Sequence, residues 1–167
     1  MRLSHGVEWA AHACTLLIAA GPTRGLSLAA LAEYHGVPAP YLAKQMQALS
    51  KAGIVRTSRG KTGGYTLARP ADQITLWDVT RALNGSEPLF QCTEIRQQGP
   101  CGARREDCIR PCYIAHAFAQ AEQAWRGALQ AVTIADIAAD VGRDSSPEHL
   151  GHALAWLGAN LTELPKG

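Results

Sequence analysis

Residues 41–70 read YLAKQMQALSKAGIVRTSRGKTGGYTLARP. The first part of this stretch has the spacing of a helix, because Leu42 and Met46 fall on one apolar stripe, one turn apart. The second part predicts two short strands, over 53–57 and 64–68, joined by a basic, glycine-rich loop. A helix followed at once by such a hairpin is typical of the second half of a winged helix-turn-helix, in which the helix enters the major groove of DNA.

Two further helices precede this stretch and complete the motif. Ser4 is placed to begin the first, whose apolar residues continue at the helical period until Gly21. Ser27 is placed to begin the second, which ends at Gly36 before a tight turn. The helix over about 41–52 then follows as the recognition helix. The sequence therefore predicts a mainly α fold with a small β-wing, of the winged helix-turn-helix class.

Positive charge is concentrated in this region. The chain has a net charge of only +2, yet no acidic residue occurs from Tyr34 to Ala71. The six basic residues of this segment are Lys44, Lys51, Arg56, Arg59, Lys61 and Arg69. Uncompensated basic residues on a helix and a hairpin loop are typical of a surface that binds the phosphate backbone of double-stranded DNA.

Five side chains are candidates for DNA contacts. On the recognition helix they are Tyr41, Lys44 and Gln45, which lie off the apolar stripe and can donate or accept hydrogen bonds. On the wing they are Arg59 and Lys61, because a narrow groove attracts cationic side chains. We therefore expect a DNA operator as the partner of this domain.

The rest of the chain predicts a dimer. A long, alanine-rich helix from about Pro111 has more apolar surface on one side than a small monomer buries, which favours pairing with a second copy, although an internal core helix is the alternative. A loop is expected over 142–146. The expected segments are a DNA-binding domain over 1–85, a cysteine-bearing loop over 86–112, dimerisation helices over 113–141 and a C-terminal tail over 142–167.

Length and hydropathy exclude several classes. A chain of 167 residues is too short for a large multidomain enzyme, and it contains neither a repeat nor a low-complexity tract. The longest apolar stretch near the start, Trp9 to Ala20, is twelve residues long and includes His12, so it predicts neither a membrane span nor a secretory signal. We expect a cytoplasmic protein that neither binds a membrane nor acts on a small-molecule substrate.

Four of the five cysteines fall within 21 residues. They are Cys92, Cys101, Cys108 and Cys112. In a cytoplasmic chain such a cluster favours metal ligands or redox-active thiols over structural disulfides. Cys14 stands apart in an apolar run and is expected to be a buried core thiol.

Two pairs of residues have the spacing of metal ligands. Cys108 and Cys112 are four residues apart, and they would share one helical face if Pro111 opens the long helix. Glu8 and His12 have the same spacing on the first helix. Four such ligands suit a tetrahedral zinc ion or a 2Fe-2S cluster with mixed ligands.

A second ligand set competes with the first. It consists of Cys92, Cys101 and Cys108, with one further ligand from the first helix. The spacing of the residues leaves both sets open.

Several of these motifs together resemble the Rrf2 family of dimeric winged-helix transcription regulators, over about residues 1–135. The matching stretches are Tyr41–Lys44, Leu49–Val55, Arg59–Pro70 and Ile74–Val79. The Gly-Gly-Tyr of the wing is the most specific of these features. Within the family, the chain is most similar to redox sensors of the RsrR type, on the evidence of Glu8, Trp9, His12, the stretch 92–97 and the pair Cys108 and Cys112.

The resemblance implies a ligand set and a function. A 2Fe-2S cluster would lie at the dimer interface, bound by Glu8 and His12 of one subunit and by Cys108 and Cys112 of the other. The commoner family pattern of three cysteines would fall on Cys92, Cys101 and Cys108. The protein would then be a DNA-binding regulator that senses redox state or, with three cysteines, nitric oxide or iron.

We expect a change in cluster charge to move the first helix against the helix-turn-helix. Trp9, adjacent to Glu8, is the candidate relay, although a packed core tryptophan is an equal interpretation. The alternatives are a zinc-stabilised regulator and a thiol-based regulator without iron. An enzyme is not expected, because the sequence shows no evident substrate pocket or general base.

Overall fold

The computed structural model describes residues 3–58 and 63–164. Within these ranges the chain forms seven α-helices and four short strands. The helices are α1 (His5–Leu17), α2 (Leu28–His35), α3 (Ala39–Lys51), α4 (Leu76–Asn84), α5 (Tyr113–Gln130), α6 (Ile134–Asp144) and α7 (Pro147–Asn160). The strands are β1 (Arg24–Gly25), β2 (Val55–Thr57), β3 (Tyr65–Leu67) and β4 (Thr162–Glu163).

The winged helix-turn-helix is confirmed. The Ser27 hydroxyl accepts a hydrogen bond from the Ala30 amide at 3.1 Å and so begins α2. Gly36 ends α2 in the left-handed region, at a φ of 63°. The recognition helix α3 begins at Ala39, two residues before the expected start, because Pro40 fits the first turn of a helix, where no backbone donor is needed.

The wing is an antiparallel hairpin. β2 pairs with β3, with Val55 opposite Leu67. Tyr65 also exchanges backbone hydrogen bonds with Leu26, at 2.8 and 3.1 Å, which ties the wing to the segment before α2. The wing tip carries the DNA-contact candidates Arg59 and Lys61, and both lie outside the described residues.

The core lies between α1, α3 and α4. The apolar stripe of α3 is fully buried, as its spacing predicts, and consists of Leu42, Met46 and Leu49. These side chains share one cluster with Leu17 of α1. Cys14 is buried in the same cluster, as expected, and burial raises the pKa of its thiol to about 12.

The segment after α6 differs from the expectation. A loop was predicted over 142–146, but α6, which begins with a capping box of Thr133 and Asp136, continues through Asp144. Near its end Arg143 pairs with Asp140 at 2.6 Å, an i,i+3 contact that the helix brings together. The segment 147–160 forms α7 and packs on the DNA-binding domain. Trp156 contacts the ring of Tyr34, with 4.9 Å between centroids.

A short strand continues this packing. β4 pairs antiparallel with β1, with Glu163 opposite Arg24. None of the helices in the described ranges has the length and apolar character needed to cross a bilayer.

Candidate cluster site and DNA-binding surface

The outer face of α3 presents two of its three candidate residues. Tyr41 and Lys44 are exposed, and the Lys44 ammonium lies 5.8 Å from the centre of the Tyr41 ring. Gln45 is half-buried, because its amide packs against Gly6 of α1, where any larger side chain would collide with it. Gln45 therefore also joins the recognition helix to α1.

Glu8 and His12 lie exposed on α1, one turn apart. The Glu8 carboxylate is 3.7 Å from Nδ1 of His5, and both side chains are largely in solvent. Trp9, between them in sequence, is half-buried and packs against the core. The first donor pair is thus at the surface of the single chain.

The cysteine pair has a different geometry from the expected one. Pro111 does not open the long helix, since α5 begins at Tyr113 and Cys112 is its N-cap residue. Cys108 and Cys112 therefore lie in the preceding loop and not on one helical face. Cys112 is buried, with 8% of its surface exposed, and Cys108 is half-buried. Cys92 and Cys101 are exposed.

The N-terminus of α5 stabilises the thiolate of Cys112. Hydrogen bonding by the backbone amides of Ala115 and Ile114 lowers the pKa of this thiol, against the opposing effect of burial. The Cys92 thiol and the charge of Arg96 lower the same pKa further. A thiolate is the form of cysteine that binds metal, and a lowered pKa increases the fraction of this form.

Arg96 organises the loop around the cysteines. Its Nε and Nη2 donate hydrogen bonds to one oxygen of Glu94, at 3.0 and 2.7 Å. Its Nη1 donates to the carbonyl of Arg110, at 3.2 Å, between Cys108 and Cys112 in sequence. The backbone of Glu94 has a φ of 51°, which a non-glycine residue rarely adopts. Sequence reasoning missed this role, because no local pattern relates position 96 to position 110.

The start of the same loop is anchored on α5. The Glu122 carboxylate is buried, accepts the Leu89 amide at 3.0 Å, and pairs with Arg126. The Arg126 guanidinium lies over the Trp77 ring of α4, 4.9 Å from its centre. These contacts hold the loop between α4 and α5.

His35 is a further residue that the sequence analysis did not single out. Its ring lies 5.8 Å from the His12 ring and 5.1 Å from the Tyr34 ring, centre to centre. Its Nε2 atom is buried and has no hydrogen-bond partner among the described residues. Burial, and to a smaller extent the nearby His12, lower the pKa of His35.

The described part of a single chain does not assemble a complete metal site. No three His, Cys, Asp or Glu side chains come together there in a ligating arrangement. The α1 pair and the cysteine pair are thus two separate half-sets. Thiolate and imidazole donors are nevertheless ligands that iron-sulfur clusters with mixed ligation use.

A family model described as "Rrf2: Iron-dependent Transcriptional regulator" matches residues 3–140. This chain belongs to the Rrf2 family. The match spans the winged helix-turn-helix, the cysteine loop, α5 and most of α6. It identifies the chain as a DNA-binding transcriptional regulator and not an enzyme, as the sequence predicts.

Relatives of this Rrf2 protein agree with that assignment. The protein rrf2 of Nitratidesulfovibrio vulgaris is 31% identical over 120 residues, which cover 72% of this chain and 75% of the relative. Among solved structures, T. potens IscR is similar with a TM-score of 0.65 and 24% identity, over 90% of this chain and 96% of that one. CymR, the global cysteine regulator of B. subtilis, is similar with a TM-score of 0.61 and 23% identity, over 83% of this chain and 97% of that one. The two structures support the fold.

Proposed function

We propose that this Rrf2 protein is a redox-responsive transcriptional regulator of the RsrR type that acts in the cytoplasm as a homodimer. In this proposal a 2Fe-2S cluster lies at the dimer interface, bound by Glu8 and His12 of one subunit and by Cys108 and Cys112 of the other. The observation that carries the proposal is that the α1 pair and the cysteine pair do not come together within the described part of one chain, while the N-terminus of α5 lowers the pKa of the Cys112 thiol.

The uncovered face of α5 supports the dimer. Three large apolar side chains on this helix remain in solvent in the single chain, with exposed fractions of 71% for Tyr113, 60% for Ile114 and 51% for Phe118. Such a patch marks an interaction surface, and pairing with a second copy would bury it. Cys112 directly precedes this patch, so the same pairing brings the cysteine half-set to the interface.

The DNA surface of the proposal is α3 and the wing. Tyr41, Lys44 and Gln45 would contact DNA from α3, and Gln45 also packs against α1. Arg59 and Lys61 would contact it from the wing. The basic residues supply sequence-independent affinity, and the polar groups of α3 supply base contacts.

The chain's own packing supports a route from the cluster to DNA. When bound, the cluster supplies reversible one-electron chemistry. Glu8 and His12 hold their side of the site on α1, and Gln45 of α3 packs directly on Gly6 of the same helix. A displacement of α1 would therefore alter its contact with the recognition helix, and Trp9 on α1 remains a candidate for the moving side chain. A difference of a few kcal/mol between two arrangements is enough to switch affinity.

The cluster is tested by purifying the full chain without oxygen. We expect a red-brown protein with about two irons per subunit and a visible spectrum that bleaches reversibly with dithionite. Replacement of any of Glu8, His12, Cys108 or Cys112 should change the spectrum or abolish the cluster. Cys101→Ser is the matched control. Loss of the cluster in Cys92→Ser and Cys101→Ser, together with its retention in Cys112→Ser, would instead assign the three-cysteine set.

The dimer is tested by Ile114→Asp and Phe118→Asp. Both should give monomers in sedimentation experiments while the helical circular dichroism is retained, because a charge on the α5 patch opposes its burial. Leu154→Asp on α7 is the control, since this side chain is 66% exposed and lies outside the patch. A dimer that survives both α5 substitutions would contradict the proposed interface.

The DNA surface is tested by selecting an operator from a random duplex library. Lys44→Ala should then weaken binding to the selected duplex. It should also lower the slope of log affinity against log salt concentration by about one, because one phosphate contact is lost. An unchanged affinity and salt dependence would remove Lys44 from the interface.

The second candidate function is a zinc-stabilised or thiol-based regulator without iron. The interaction between the Cys92 and Cys112 thiols favours it, because neighbouring thiols can be oxidised to a disulfide. A colourless protein that binds DNA, gains no cluster on reconstitution and loses binding on mild oxidation would support this alternative.

A further inference from the structure

A cavity of about 380 Å³ lies where the end of α1 meets the base of the wing. Its walls come from the end of α1 and the turn that follows, from β2, and from the end of β3 with the segment after it. The volume equals that of about a dozen water molecules, at about 30 Å³ each, so it suits a small organic molecule. The proposed cluster and the DNA contacts proposed for α3 and the wing tip use none of its lining residues.

Most of the cavity wall is apolar. Leu17 and Leu67 line it, together with the rings of Pro22 and Pro70. Leu17 is fully buried in the core cluster and Leu67 packs against that cluster, so the core holds both side chains in place. A ligand that fits this wall would therefore bury an apolar part of its own against it.

Two arginines complete the lining, and none of the described lining residues is acidic. Arg56 of β2 donates from Nη2 to the Pro22 carbonyl at 2.7 Å and makes no ion pair within the described ranges. Arg69 pairs through Nη2 with the Asp78 carboxylate of α4 at 3.1 Å. The same carboxylate lies 3.8 Å from Arg81, so one negative charge serves two arginines. The cavity therefore carries a net positive charge that favours an anion.

The Nε atom of Arg69 is a hydrogen-bond donor without an acceptor. It is buried and has no partner in the part of the chain that the structure describes. An unpaired donor on a buried part of a charged group costs free energy, which a ligand oxygen would recover. Carboxylate oxygens match the donors of a guanidinium well. The phosphate backbone of a duplex would not reach a buried atom, so a small molecule fits this donor better than DNA does.

We infer that this cavity binds a small organic anion, a monocarboxylate with a short apolar tail. The carboxylate would be bound by Arg56 and Arg69, and the tail would pack against Leu17 and Leu67. An inorganic anion would leave the apolar wall without a partner, and an uncharged molecule would leave the positive charge uncompensated. The inference goes beyond the proposed function and does not depend on the cluster.

The test uses hexanoate as the probe and the full chain as purified. Hexanol has the apolar chain without the charge, and inorganic phosphate has the charge without the chain. We expect hexanoate to bind with a Kd of about 1 mM or lower, and each of the other two about tenfold more weakly. Amide shifts in nuclear magnetic resonance spectra measure the binding. They should be confined to residues around the cavity, such as Ile18, Gly21 and Leu67.

Three variants locate the site. Arg69→Gln removes the buried donor and its charge, so hexanoate should bind about tenfold more weakly. Arg56→Gln should weaken hexanoate by about threefold, and since Arg56 is exposed this variant keeps the test valid if Arg69→Gln does not fold. Arg81→Gln is the matched control, because Arg81 lies near the same Asp78 carboxylate but does not line the cavity. Its affinity for hexanoate should stay that of the wild type.

Each contrary outcome has a defined meaning. Hexanol or phosphate binding as tightly as hexanoate would overturn the assigned ligand class. Wild-type affinity in folded variants of both Arg56 and Arg69 would place the binding elsewhere and overturn the site. Absence of hexanoate binding would also overturn it, and a lower salt dependence of operator binding in Arg56→Gln would then assign Arg56 to a DNA phosphate. None of these results bears on the cluster, so the inference and the proposed function fail separately.

Discussion

Arg96 donates a hydrogen bond from Nη1 to the backbone carbonyl of Arg110 at 3.2 Å, and so joins the two halves of the cysteine loop, residues 86–112. The same guanidinium donates two further hydrogen bonds to the Glu94 carboxylate. One side chain therefore holds the loop in the shape that places Cys108 and Cys112 beside the N-terminus of α5.

Removing this side chain should loosen the loop. Arg96→Ala deletes three hydrogen bonds at once, so we expect faster cleavage within residues 86–112 by a protease of broad specificity, with the rest of the domain intact. Arg96→Lys keeps the positive charge but loses the planar guanidinium that donates several hydrogen bonds at once. Its cleavage rate should therefore lie between those of the wild type and Arg96→Ala. Equal cleavage rates for the wild type and Arg96→Ala would show that other contacts order the loop.

Glu122 should contribute more to the free energy of unfolding than an exposed charged residue does. Glu122→Ala leaves the Leu89 amide and the Arg126 guanidinium without their partner, which we expect to lower the free energy of unfolding by about 1–3 kcal/mol. Urea unfolding measures the change. Gln123→Ala, an exposed neighbour on α5, should change the stability by less than about 0.5 kcal/mol, and a comparable loss there would refute a specific role for the carboxylate.

The packing of α7 predicts a contrast between two nearby residues. Trp156 packs against the core and the Tyr34 ring, so Trp156→Ala should cost about 1.5–3 kcal/mol and release α7. Leu154 is largely exposed two residues earlier, and Leu154→Ala should change stability by less than about 0.5 kcal/mol. Thermal unfolding followed by circular dichroism distinguishes them, and equal effects would contradict this arrangement.

Asp136 makes the start of α6 sensitive to acid. Hydrogen bonds from the Thr133 hydroxyl and backbone amide hold the pKa of this carboxyl below its ordinary value. The folded state therefore binds fewer protons than the unfolded state near pH 4, so the contribution of this cap is present above about pH 4 and is lost as the pH falls through the lowered pKa.

The matching experiment uses Thr133→Val, which removes the hydroxyl donor. The difference in unfolding free energy between wild type and variant should be largest near pH 7 and shrink toward pH 3. Asp140→Asn, farther along α6, is the control for a general charge effect. A difference that stays constant with pH would show that the cap does not depend on the Asp136 charge.

Local patterns predicted the DNA-binding half of the molecule well. The Ser27 cap, the stripe of Leu42 and Met46, and the alternating strands of the wing each depend on residues a few positions apart. The structure confirms these features because helix capping and periodic burial are decided within one or two turns of the chain. α5 begins two residues later than predicted, since Cys112 occupies the N-cap position of the helix that Pro111 was expected to open.

The candidate site depended on contacts that no local spacing contains. The spacing of Glu8 and His12 identified one surface pair, but it did not indicate that His35 lies against His12. Arg96 and Arg110 are 14 residues apart, and Leu89 and Glu122 are 33 apart. Such pairs form only when packed helices bring distant segments together.

The sequence by itself determined the winged helix-turn-helix, the basic character of its DNA face and the types of donor available for a cluster. These properties follow from residue chemistry and from periods of two and 3.6 residues. Only the tertiary structure decided that α7 and β4 fold back onto α2 and β1, that the His35 ring of α2 lies near the His12 ring of α1, and that the two donor pairs remain apart in one chain. The physical reason is that burial of apolar faces selects which distant segments meet, and this selection is a property of the whole packed domain and not of any one segment.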